Sequence, residues 1–163
     1  MIFVTVGNAT QGFKRLLHAV DEAAASGIFG GDAVFIQSGN NPDFSSRHCE
    51  HQPFINMQKF ESLVRDSNLV VSHAGAGTLL HVFQAGKIPV VMPRRKQHDE
   101  LVDDHQLELV EVLAKEGRVV PALEPEDLAN AVDEARRRNL QPSQKSLPRI
   151  IGLLQQTIEE LTQ

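Results

Sequence analysis

One cysteine, Cys49, stands among 163 residues. An internal disulfide is therefore excluded, and the composition fits a reducing compartment. Long apolar runs are also missing. The longest, at residues 69–71 and 88–92, fall far short of the roughly 20 residues a membrane helix needs. The first residues, Met1-Ile2-Phe3-Val4-Thr5-Val6-Gly7, carry no basic stretch and no small-residue cleavage site. They are expected to open a strand and not a signal peptide. A basic excess is absent too, with 16 Lys and Arg against 21 Asp and Glu and a formal charge of −5. That balance argues against nucleic acid as a general partner but leaves room for one local basic site. A membrane would have to be reached through a partner or a surface helix.

What is present is the composition of a globular domain: 41% hydrophobic residues, 23% charged residues and a mean hydropathy of −0.22. The length suits one domain with a full core. Short apolar runs at 2–6, 33–37, 52–55, 68–72, 88–92 and 118–120 alternate with stretches of helical periodicity. The first helix carries Phe13, Leu16, Leu17, Val20 and Ala24 on one face and stops at Gly27. Met57, Phe60 and Val64 mark the second, and residues 78–85 form a short third closed by Gly86. A fourth is expected over 101–115 with Val102, His105, Leu109 and Val112 facing inward, and Pro125 opens a fifth through Arg138. Residues 39–51 read as a polar loop.

This alternation predicts an α/β fold: a Rossmann-like, doubly wound parallel sheet over residues 1–138. Residues 139–163 then supply a linker and an amphipathic helix bearing Ile150, Ile151, Leu153, Leu154, Ile158 and Leu161. That helix either folds back on its own sheet or, the preferred reading, packs on a second domain. Ligands of such sheets sit beyond the carboxyl ends of the strands, which directs attention to residues 7–11, 55–57, 73–78 and 93–99.

The segment Ser72-His73-Ala74-Gly75-Ala76-Gly77-Thr78 links a buried strand to a helix. Small residues there let a phosphate approach the unbonded N–H groups of the first turn. The same glycines also suit a tight turn with no ligand. The segment is neither a GxGxxG fingerprint nor a GxxxxGK[ST] loop, which counts against dehydrogenases and P-loop NTPases. His48-Cys49-Glu50-His51 lacks the spacing of a metal site and reads as a surface loop, so no metal is expected. Arg94-Arg95-Lys96, on the ligand side, is either a solvated basic turn or a contact for a diphosphate or lipid head group.

Further motifs surround the glycine turn: Phe3-Val-Thr-Val-Gly, Pro53-Phe-Ile-Asn-Met, Gln84-Ala-Gly-Lys-Ile-Pro-Val-Val-Met-Pro and Asp103-Asp-His-Gln-Leu-Glu-Leu. Together with it they resemble the C-terminal, donor-binding domain of glycosyltransferase family 28. Within that family the likeness is to the small catalytic subunits of two-subunit enzymes, of the dolichol-linked GlcNAc and exopolysaccharide types. The resemblance implies one half of a GT-B glycosyltransferase that moves a sugar, with inversion, from a UDP-sugar to a lipid-linked saccharide. It implies no cofactor beyond that donor. It places Gly7, Asn8, His73, Gly75, Ala76, Gly77 and Thr78 at the diphosphate, and the Ile55 backbone and Met57 at the uracil. Asp104 and Gln106 fall at the sugar, and His105 is a weak candidate for the base.

Two departures from the family pattern stand out. His81 occupies the position of a ribose-binding glutamate, and Leu109 that of an asparagine near the sugar in peptidoglycan-precursor enzymes. The partner implied is a separate, membrane-anchored acceptor subunit that would hold this chain at the cytoplasmic face of a membrane. An alternative of another class is a non-catalytic nucleotide-sugar-binding module that regulates or scaffolds a transferase. With a uracil pocket at residues 54–57, UDP and UDP-sugars are expected to raise the melting temperature and ADP to leave it unchanged. An equal thermal shift with ADP would remove the uracil assignment.

Overall fold

The computed structural model describes residues 1–140 together with residues 152 and 154–156. Six parallel strands form one sheet in the order β3-β2-β1-β4-β5-β6. They are β1 (Ile2–Thr5), β2 (Val34–Gln37), β3 (Glu50–Gln52), β4 (Leu69–Ser72), β5 (Val90–Val91) and β6 (Val120–Pro121). The strands pair in register, Ile2 with Val34 on one side and Leu69 on the other. Helices that connect or cover them are α1 (Lys14–Ala25), α2 (Met57–Asp66), α3 (Ala76–Gln84), α4 (His105–Lys115) and α5 (Leu128–Asn139).

Every residue of β1, β2 and β4 is buried, as strands covered on both faces must be. Successive side chains point to opposite faces. Ile2 and Val4 pack with Leu16, Leu17 and Val20 of α1 and Leu128, Val132 and Ala135 of α5. Phe3 points the other way, to Phe35, Val70, Val64 of α2 and Val82 of α3. A third cluster joins Leu79 and Phe83 of α3 to Leu109, Val110 and Leu113 of α4. Among the described residues no helix is long and apolar enough to cross a membrane.

Several elements differ from the sequence expectation, each for a local reason. The third strand runs Glu50–Gln52 and not 52–55, because Pro53 has no N–H with which to continue the ladder. Two residues of the HCEH cluster, Glu50 and His51, thus lie in an edge strand and not in a loop. The fourth helix begins four residues late. The Asp103 carboxylate accepts the His105 N–H at 3.1 Å, and the Asp104 carbonyl accepts Leu107 N–H at 3.0 Å. This start changes the phase of the helix. Its buried residues are Leu109, Val110 and Leu113, whereas Val102 and Val112 are 72% and 42% exposed. His105 is exposed as well, so it is not a core residue. The last strand runs Val120–Pro121, slightly past the expected 118–120. The fifth helix opens with a 3-10 turn, Pro125–Asp127, before its α-helical body.

Of the apolar tail, Ile150, Ile151, Leu153, Ile158 and Leu161 lie outside the described residues. Leu154 is fully buried in the α3–α4 cluster of its own chain, so that side chain is not offered to a partner.

Phe3 is fully buried and meets the Phe60 ring edge-on at 5.6 Å and the Phe35 ring at 6.5 Å. Phe3→Ala is expected to lower the unfolding free energy by about 3–5 kcal/mol, read from urea denaturation. A loss below about 1 kcal/mol would mean that the cavity collapses freely.

Candidate functional site

The strand order reverses its direction of winding between β1 and β4. The chain leaves β1 toward β2 and leaves β4 toward β5, which opens a crevice above their carboxyl ends. A cleft of about 320 Å³ lies there. Gly7, Asn8 and Gln37 line it from β1 and β2, and His73, Gly75, Gly77 and Thr78 from the turn after β4. Ile55, Met57, Phe60 and His81 complete it with a more apolar wall. Phe60 and His81 stack edge to face at 5.6 Å.

His73 is held in a slot made by two glycines. A Cβ on Gly7 would lie 2.6 Å from its Cε1 and Nε2, and one on Gly75 would lie 2.1 Å from Nε2. Gly7 also has φ +73°, a conformation that side chains disfavour. The neighbouring Ser72 Oγ is buried and has no hydrogen-bond partner among the described residues. Burial, followed by the positive charge of Arg94, pushes the imidazole pKa down to about 4. The ring is therefore neutral at physiological pH.

Helix α3 starts at Ala76, two residues before the expected Thr78, with Gly75 as N-cap and no side-chain cap. Its first turn holds no acidic residue. Leu79 N–H, bonded to Gly75 O at 3.0 Å, is the first amide to join the helical ladder. The amides of Ala76, Gly77 and Thr78 precede it at the cleft, at the positive end of the helix dipole. Among the described residues a Cβ on Gly77 would meet nothing within 4 Å, so none of them requires a glycine there for packing. Ala76 contributes no side chain to the cleft, because its methyl group is buried in the core.

The remaining candidates lie outside the cleft lining. Gln106 turns its amide oxygen inward to accept the N–H groups of Ala74 at 3.2 Å and Arg94 at 3.0 Å, tying together the loops after β4 and β5. Asp104 is exposed and accepts the Lys96 N–H at 3.0 Å. His105 meets Asp103 Oδ1 at 2.9 Å through Nδ1.

The basic triplet needs correction. Arg94 is fully buried and cannot reach a diphosphate or a lipid head group. Its Nη1 donates to the carbonyls of Gln11 (2.9 Å), Gly12 (3.2 Å) and Glu100 (3.1 Å), and Nη2 to that of Val6 (2.8 Å). Burial lowers its pKa to about 10, so it stays charged. The counter-charge is Glu100, 5% exposed, which Arg15 grips through Nε at 3.0 Å and Nη2 at 2.9 Å. Arg95 pairs with Glu124 at 2.6 Å, and Lys96 is exposed.

Two lining residues, Gln37 and Phe60, were not among the candidates. Gln37 had a signal: it is the one polar residue of Val34-Phe35-Ile36-Gln37 and ends that buried strand beside β1.

This arrangement defines the class. The glycotransferase of kitacinnamycin superposes with a TM-score of 0.63, covering 99% of this chain and 39% of that one at 17% identity. The fold is thus that of one Rossmann-like half of a GT-B glycosyltransferase. The glycosyltransferase family 28 C-terminal domain matches residues 1–157, and the chain belongs to that family. Among curated relatives, the UDP-N-acetylglucosamine transferase subunit ALG13 of Cryptococcus neoformans is 36% identical over 72% of this chain. The human protein of the same name is 32% identical over 72% of this chain. The match spans 58% of the fungal relative's length and 10% of the human one's.

The pH response of His73 is a direct check on its slot. Its pKa is about 4 when folded, against 6.5 for an unperturbed imidazole, so between those values the unfolded chain binds more protons. The stabilisation is complete above pH 6.5 and is lost as pH falls through 4, amounting to about 3 kcal/mol at most. His73→Gln is expected to flatten the fall in stability over that window in denaturation at stepped pH. An unchanged slope would place the ring in water.

Proposed function

We propose that this chain is the donor-binding, catalytic subunit of an inverting glycosyltransferase that moves a sugar from a UDP-sugar to a lipid-linked saccharide. Its acceptor-binding half is a separate, membrane-anchored subunit that keeps it at the cytoplasmic face of the membrane. The observation that carries this reading is the uncapped first turn of α3 opening into the switch-point cleft. Three backbone amides and the helix dipole suit the diphosphate of a nucleotide sugar.

In this reading Gly7, Asn8, His73, Gly75, Ala76, Gly77 and Thr78 surround the diphosphate, the side-chain-free Gly77 allowing its closest approach. The wall of Ile55, Met57 and Phe60 takes the uracil, and His81 stands near the ribose. Gln106 and Asp104, at the start of α4, face the sugar once the partner closes the cleft. The acceptor hydroxyl oxygen attacks the anomeric carbon from the side opposite the diphosphate. The bond from that carbon to the diphosphate oxygen breaks, and its electron pair leaves with UDP, where the α3 amides stabilise the growing charge. The hydroxyl proton goes to a base. His105, oriented by Asp103, is this chain's candidate for that base, and the partner's cleft wall is the other source. The relatives' names favour UDP-N-acetylglucosamine as donor, and exopolysaccharide or other surface glycan synthesis is the setting proposed.

Reconstitution tests the reading. The chain joined to its acceptor subunit is expected to transfer sugar from a UDP-sugar to a lipid-linked acceptor, while the chain alone is nearly inactive. One wall of a cleft cannot orient donor and acceptor for in-line attack. Gly77→Val should fold normally and cut the pair's turnover at least about a hundredfold. Equal rates with and without the partner would overturn the two-subunit reading. UDP-sugar binding with no transfer by the pair would favour the non-catalytic module.

A further inference from the structure

A chain of hydrogen bonds behind the cleft decides which way one of its side chains faces. Thr5 is fully buried. Its hydroxyl oxygen receives the Gly7 N–H at 3.1 Å and lies 2.7 Å from Gln37 Oε1. A backbone N–H can only donate, so the Thr5 oxygen is the acceptor in the first bond. Its own hydrogen then needs an acceptor, since a buried hydroxyl without one is costly. The Gln37 carboxamide oxygen is that acceptor. With the oxygen of Gln37 so committed, its NH₂ group points the other way and donates to Asn8 Oδ1 at 2.8 Å. Gln37 is itself 4% exposed, so the amide has little freedom to turn over. The direction set by one backbone N–H is thereby passed through two side chains to the rim of the cleft.

The end of the relay is Asn8, which is exposed and lines the cleft. Its oxygen is turned back to Gln37, leaving Nδ2 as the outward end of the carboxamide. We infer that Gln37 is a positioning residue of this site: by holding Asn8 Oδ1 it presents the Asn8 NH₂ group to the cleft as a donor for an anionic diphosphate oxygen. This rests on the diphosphate reading of the cleft given above. It adds a residue from outside the glycine turn and gives Asn8 a polarity. Asparagine could offer an anion either end of its amide, and only one end is attractive.

The test uses the 163-residue chain, with UDP and uridine as probes, in calorimetry. Gln37→Met removes the donor to Asn8 with little change of volume, and a bond to a charged group is worth roughly tenfold to a hundredfold in affinity. UDP affinity is expected to fall by at least about tenfold, while uridine, which has no phosphate, binds as before. In an Asn8→Ala background the same substitution should change UDP affinity by less than about twofold, because the effect travels through Asn8. Gln37→Glu, which keeps the shape but offers Asn8 an acceptor, should weaken UDP at least as much as Gln37→Met does. Positioning can also be read without ligand: the Gln37 side-chain amide protons should exchange slowly in the wild type and faster in Asn8→Ala.

If wild type and Gln37→Met bind UDP equally, if uridine suffers the same loss, or if the loss persists undiminished in Asn8→Ala, the inference is overturned and the diphosphate reading survives. A wild-type chain that binds no UDP or UDP-sugar removes that reading and the ligand half of the inference with it. Fast exchange of the Gln37 amide in the wild type overturns the positioning half whatever the protein binds.

Discussion

The guanidinium of Arg94 has been taken wholly out of water, and its two Nη groups donate to backbone carbonyls in place of hydration. Those carbonyls belong to three separate segments: the end of β1 at Val6, the approach to α1 at Gln11 and Gly12, and the loop after β5 at Glu100. Burying a charge costs several kcal/mol unless it is compensated, and here Glu100, held in turn by Arg15, supplies the opposite charge. The Phe13 ring lies 4.8 Å below the guanidinium and closes it off. Because Val6 precedes Gly7 and Gln11 follows Thr10, one side chain clamps both ends of the loop that forms the near wall of the cleft. Removing it would take the donor from four backbone carbonyls at once.

That clamp also sets the electrostatics of the far wall. A permanent positive charge in the interior adds to burial in keeping His73 neutral. The slot between Gly7 and Gly75 therefore presents an uncharged imidazole next to the positive end of α3. In the proposed reading, attraction for an anion comes from amides whose directions are fixed by secondary structure, not from mobile cations. Such dipoles need no reorganisation when charge develops. Two neighbouring cations are directed elsewhere, Arg95 to Glu124 and Arg15 to Glu100.

Much of this architecture was legible in the residues. Strands buried on both faces leave uninterrupted apolar runs, and Leu69-Val70-Val71 could be little else. The segments 7–11, 55–57 and 73–78 stood out because they follow strand ends in a parallel sheet, a rule of topology, whereas the individual residues, His81 among them, came from the family resemblance. Phase was harder. The inward face of α4 depends on where the helix starts, and that is decided by Asp103 and Asp104 bonding to backbone, which periodicity counted from Val102 does not register. Arg94 was illegible for a deeper reason. Three consecutive cations look solvated, and the carbonyls that draw the first of them inside come from stretches up to 88 positions away. Gln37 sat between these cases, a polar residue closing an apolar strand, visible as an anomaly before its partners were known.

Gly7, Gly75 and His73 share one volume, although they come from two strands some 70 positions apart. A side chain larger than hydrogen at either glycine overlaps the imidazole, and Gly75 has an ordinary negative φ of −72°, so nothing but the ring forbids a Cβ there. The three positions thus form a single unit of sequence drift. A lineage can replace Gly75 only if the ring at 73 turns out of the slot or gives way to something smaller, and Gly7 must in addition escape its backbone conformation.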